Sequence, residues 1–70
     1  MKTNTIDPKE RFLQIADEEI AKDGTKANND TLDRICDRMY QEFGVEIYEL
    51  DGLDDFVFGE YLEEHPYLTL

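Results

Sequence analysis

VEIYELDGLDDFVFGEYLEEHP, residues 45–66, is the stretch on which the fold class turns. Its opening is rich in β-branched and aromatic side chains, with Val45, Ile47 and Tyr48 bounded by Gly44 on one side and Asp51-Gly52 on the other. That pattern predicts a short strand over 45–50. Two continuations compete from there. Asp51-Gly52 suits the two-residue turn of a hairpin, which would make 45–58 a pair of strands. Alternatively, Asp51 begins a helix that brings Leu53, Phe56, Val57, Glu60, Tyr61 and Glu64 onto related faces. It would end near His65-Pro66, because a residue before proline avoids helical geometry. The helix is the preferred reading, although Gly59 weakens it by roughly 1 kcal/mol relative to alanine. Residues 67–70 then dock as a terminal strand or fray.

Upstream the pattern is helical. Asp7 can cap a helix start, Pro8 suits the first turn because its missing N–H has no partner there, and Glu10 completes a capping-box-like spacing. Phe12, Leu13, Ile15, Ala16 and Ile20 give a helix running to about Lys22 an apolar stripe, with Asp17, Glu18 and Glu19 mostly on the other side. Asp23-Gly24 reads as its end. After a polar connector, Asn29 or Asp30 caps a second helix. Its Leu32, Ile35, Cys36, Met39, Tyr40 and Phe43 follow the helical series closely, and Gly44 sits where a C-terminal cap belongs. The expected architecture is therefore a small α+β domain: two antiparallel amphipathic helices, then a short strand and a third helix. Residues 1–6 read as a flexible arm and 7–70 as one acidic domain.

Charge is segregated along this chain of 70 residues. Residues 39–70 carry nine acids, no lysine and no arginine, whereas residues 1–38 hold nine acids and all seven bases. The formal charge of −11 thus divides into −2 and −9. Surface charge that only keeps a protein soluble is usually interspersed with its opposite. A one-signed field steers partners of the other sign, and strongly basic proteins are commonly those that bind nucleic acid.

Other functional classes find little support in the composition. Cys36 falls on the apolar face of the second helix and reads as a small core residue, since a reactive thiolate needs an electropositive setting. His65 reads as a favourable charge at a helix C-terminus. The segment 51–55 lacks the alternating oxygen ligands and late glutamate of a calcium loop. With one cysteine, one histidine, no serine and no phosphate-binding glycine loop, neither an enzyme nor a bound cofactor or metal is expected. No apolar stretch of 18 residues is present, and the chain reads as soluble and cytoplasmic. Residues 42–47 and 51–54 are similar to two segments of acyl carrier proteins, but in the reverse order and with Gly52 in place of the attachment serine, which excludes carrier chemistry.

The acids nominate themselves as a partner-binding surface. Carboxylates three or four positions apart on a helix have β-carbons about 5–6 Å apart, comparable with successive phosphates on a DNA strand. Glu60, Glu63 and Glu64 form one such group, Asp51, Asp54 and Asp55 another, and Glu42, Glu46 and Glu49 extend the row. Lysines and arginines built to grip phosphate would accept these carboxylates in the same geometry. Tyr48, Tyr61 and Tyr67 are candidate apolar anchors beside the acids, while Phe56 and Phe58 read chiefly as core.

In length, net charge and charge segregation the chain resembles the small acidic DNA-mimic proteins encoded by phages. These include inhibitors of the histone-like protein HU, of uracil-DNA glycosylase, of restriction enzymes and of CRISPR effectors, and the chain is nearest in size and character to the HU inhibitors. The resemblance implies a stoichiometric inhibitor in the bacterial host cytoplasm. It would occupy the DNA-binding surface of a basic protein, such as a nucleoid-associated protein, and compete with DNA. It implies no binding of nucleic acid or membrane, and a homodimer that repeats the acidic surface by two-fold symmetry. The competing expectation is an acidic adaptor that binds a basic surface of the transcription or translation machinery and leaves DNA in place.

Overall fold

The computed structural model describes residues 7–50 and 52–70. Helix α1 (Pro8–Asp23) and helix α2 (Asn29–Phe43) form an antiparallel pair, and a third helix, α3 (53–64), folds across α1. α1 begins as its sequence dictates, with the Asp7 carboxylate accepting the Lys9 amide at 3.0 Å and proline in the first turn. A short 3₁₀ turn, Gly24–Lys26, carries the chain round to α2. The cap of α2 is Asn28, one residue before the expected Asn29 or Asp30. Its side chain accepts the Asp30 amide at 3.0 Å, while Thr31 Oγ1 accepts the Asn28 amide at 3.0 Å. Gly44 ends α2 at φ 79°, a backbone conformation that a side chain disfavours.

The strand expected over 45–50 does not form, and the α+β expectation is overturned: among the described residues there is no strand and the fold is all-α. Glu46 is extended, but Ile47–Glu49 tighten into a single 3₁₀ turn closed by hydrogen bonds from the Glu49 amide to Glu46 and from the Leu50 amide to Ile47. The reason lies downstream. A strand needs a neighbour for its amides and carbonyls, and the residues that would have supplied one are in α3. The turn satisfies its own backbone and still delivers Ile47 to the core at 4% exposure. The hairpin alternative over 45–58 falls with the strand.

In α3 two α-helical turns, Leu53–Phe56 and Leu62–Glu64, flank a wider π turn, Val57–Tyr61, in which the Leu62 amide reaches back five residues to the Val57 carbonyl. The buried residues explain why the widening is useful. Leu53, Val57 and Tyr61 face the core at four-residue intervals. On a regular α-helix such a row drifts around the axis by ~40° per step, and the wider turn takes back part of that drift. Gly59 lies within this turn.

The core gathers Phe12, Ile15 and Ala16 from α1, Ile35 and Met39 from α2, Leu53, Val57 and Tyr61 from α3, and Ile47 and Leu68 from the turns. The Phe12 and Tyr61 rings meet edge to face at 5.2 Å. The last segment neither frays nor forms a strand. Pro66–Thr69 is a 3₁₀ turn that buries Leu68 completely, and the Asn29 amide donates to the Leu70 carbonyl at 3.3 Å.

Candidate functional site

Where the positive charge goes decides what the acids can do. All three arginines join α1 to α2. Arg11 Nε donates to both carboxylate oxygens of Glu42 at 2.8 and 3.0 Å, Arg34 bonds Glu19 and Asp23, and Arg38 bonds Glu18 and Glu19 at 2.9 Å. Glu19, which the amphipathic pattern assigned to the polar face, is the hub. It is 2% exposed and takes Arg34, Lys22 and Arg38 within 3.1 Å. The Arg34 hydrogen bond, with those of Lys22 and Arg38, outweighs burial and lowers its pKa to about 2. Thr31, fully buried, donates its hydroxyl to Asp23, and that bond together with Arg34 lowers the Asp23 pKa.

The cations are therefore committed to the α1–α2 seam, and the acids of the other half are left uncompensated. Glu46 and Glu49 are exposed around the 3₁₀ turn, Asp55, Glu60, Glu63 and Glu64 are exposed on α3, and Asp54 is half-buried at its start. Among the described residues none of these seven makes an ion pair. Glu42 differs: it belongs to the same charge run but is held by Arg11, so it contributes less to the outward field. Asp51 lies outside the described residues.

The aromatic anchors divide differently from the expectation. Tyr48 stands on the surface at 65% exposure. Tyr61 is a core residue at 7% exposure, packed between Phe12 and His65, so it is not a surface anchor. Tyr67 is half-buried. Phe56 packs on the core beneath Lys9, whose ammonium sits 4.4 Å from the ring, whereas Phe58, expected inside, is 57% exposed. The exposure of Phe58 follows from the three-residue block Phe56-Val57-Phe58, only part of which can face inward on one helix.

Cys36 is half-buried, and burial, with Asp33 and Glu46 nearby, raises its thiol pKa to about 11, which keeps it protonated. His65 bonds the helix as expected of a C-terminal residue: its Nδ1 lies 2.9 Å from the Tyr61 carbonyl, and its ring stacks on Tyr61 at 4.1 Å. Between α1 and α3 lies a cleft of about 390 Å³ lined by Leu13, Asp17, Phe56, Glu60, Tyr61, Glu64 and His65. No pattern in the sequence pointed to it, because Leu13 and Asp17 are forty residues from the side chains they face. Among the described residues no three His, Cys, Asp or Glu groups converge closely enough to hold a metal ion, and no helix is long and apolar enough to cross a membrane.

No family model, curated protein or solved structure matches this chain.

Proposed function

We propose that the protein binds the basic, DNA-binding surface of a partner protein and competes with DNA for it. The observation that carries this reading is the division of charge in space: the arginines are consumed within the α1–α2 seam, and seven carboxylates from 46–64 face solvent or its margin without a counter-charge. Such a field attracts cations over the length of its surface and raises the rate of encounter with a basic protein. A nucleoid-associated protein of the HU type is the target class that fits an anionic, DNA-like surface.

The test is displacement. Labelled duplex DNA bound by purified HU is titrated with this protein while anisotropy is read. Release of the DNA at near-stoichiometric amounts, weakening steeply as salt is raised, is expected. Reversal of Glu60, Glu63 and Glu64 to lysine should abolish release while leaving the fold intact, since exposed charges contribute little to folding. DNA that stays bound at low salt rejects HU as the target, and the same assay on other basic DNA-binding proteins decides the class.

A second reading, an adaptor that docks on a basic surface without displacing DNA, draws on Tyr48 and Phe58. Exposed rings beside the acids offer apolar contact that a phosphate backbone does not have. Formation of a ternary complex with the partner and its DNA would favour it.

A further inference from the structure

We propose that the cleft between α1 and α3 receives a single arginine side chain from a basic partner. The walls are two facing rows one helical turn in step: Leu13 and Asp17 on α1, and Phe56, Glu60 and Glu64 on α3, with Tyr61 and His65 completing the lining. Leu13, Phe56 and Tyr61 supply apolar and aromatic surface, and the three carboxylates supply charge. The partner's identity as a basic protein rests on the function proposed above, but the chemistry of the cleft does not depend on it.

The polar inventory of the cleft is one-sided. Carboxylates accept only. The Tyr61 carbonyl also accepts only, so the Nδ1 that contacts it is the donor, and in the neutral ring Nε2 of His65 is left as an acceptor. The Tyr61 hydroxyl is enclosed and has no hydrogen-bond partner, on a residue 7% exposed. Buried hydroxyls are rarely left so. Burial, with the charge of Asp17 on the cleft rim and of Tyr67, raises its pKa to about 12, which places the oxygen within reach of the rim's field and keeps it protonated.

A ligand for this cleft must bring donors, positive charge, an apolar stem and a flat face for the rings. Arginine brings all four. Its guanidinium carries five donors in a plane that stacks on aromatic groups, whereas a lysine ammonium is a strongly hydrated point charge with no flat face. The carboxylates are not gathered tightly enough for a metal ion, but a forked cation can span them. Nor does a base of this chain line the cleft: Arg11, Arg34 and Arg38 are engaged in the seam, and Lys9 lies over the Phe56 ring.

The test is an NMR titration of the full chain with N-acetyl-arginine amide, set against the lysine and citrulline counterparts. Saturable shifts at Leu13, Asp17, Glu60, Glu64 and the His65 ring are expected with the arginine compound, binding at least fivefold weaker with lysine, and none with uncharged citrulline. Asp17→Asn with Glu60→Gln should abolish the response. Tyr61→Phe should weaken it severalfold with the fold retained, while Glu46→Gln with Glu49→Gln, outside the cleft, should leave it unchanged. Equal affinity for arginine and lysine, or equal loss from the Glu46/Glu49 pair, would overturn the proposal in favour of diffuse charge attraction. Arginine binding in the cleft alongside failure to displace DNA from any basic protein would reject the mimic and leave the cleft assignment standing.

Discussion

Glu19 and Arg34, fifteen positions apart on α1 and α2, meet at 3.0 Å with the carboxylate almost wholly out of solvent and the guanidinium at its edge. The pair works as a one-sided burial. Desolvation falls mostly on Glu19, and three cations reaching in from the margin compensate it. Breaking such a site by removing the buried partner costs more than the site contributes as a whole, because the cations lose their shared counter-ion.

Glu19→Gln should therefore destabilise the fold by about 1–3 kcal/mol, less than a fully interior pair because the Lys22, Arg34 and Arg38 heads keep solvent contact. Urea unfolding followed by far-ultraviolet circular dichroism measures it. Glu63→Gln, on the exposed face, serves as the control and should change stability by less than about 0.5 kcal/mol.

Acid should undo the same site. The folded pKa of Glu19, lowered first by Arg34 and then by Lys22 and Arg38, is about 2, against an ordinary value of 4.5. Its contribution is thus fully present above pH 4.5 and lost as pH falls toward 2. Asp23, lowered by Thr31 and Arg34, changes in the same direction. Thermal melts between pH 6 and 2.5 should show a falling midpoint over this window, with a shallower fall in Glu19→Gln.

Two glycines should respond with opposite signs. Gly44 holds φ 79°, so Gly44→Ala should cost about 1 kcal/mol. Gly59 has a helical backbone with open space where a Cβ would stand, so Gly59→Ala should stabilise by about 0.5–1 kcal/mol. Midpoints of urea denaturation compared at a common slope decide both.

Leu68 anchors the last turn beneath α2 with no exposed surface. Leu68→Ala should cost about 2–5 kcal/mol by leaving a cavity. In a domain this small that is a large part of the total, and a substantial unfolded fraction at 37 °C is expected by NMR.

Much of the helical framework was legible because it depends on neighbours in sequence. The Asp7-Pro8 start, the Ile35–Met39 face of α2 and the Gly44 stop are each set within one or two turns. What failed needed information from elsewhere in the chain. Val45, Ile47 and Tyr48 have strand-forming side chains, yet a strand depends on a partner that α3 removes. Glu19 looked like one more surface acid because a helical wheel of α1 does not contain Arg34 and Arg38. Tyr61 has a ring suited to the core and a hydroxyl suited to the surface, so its spacing alone did not place it. The exposed acids were readable for a simpler reason: no base lies near them in sequence, and the nearby bases of the fold are engaged elsewhere.

The π turn gives α3 one residue more than a regular helix of the same reach would use. Removing Phe58 or Gly59 would let the segment close as an ordinary α-helix, but everything after it would swing by about 100° around the axis. Glu60, Glu64 and His65 would turn away from Leu13 and Asp17, and Leu68 would leave its seat. The widened turn acts as a phase adjuster: it allows Leu53 and Leu68, at opposite ends of the C-terminal segment, to address the same core, and one deletion would separate the cleft from the helix that faces it.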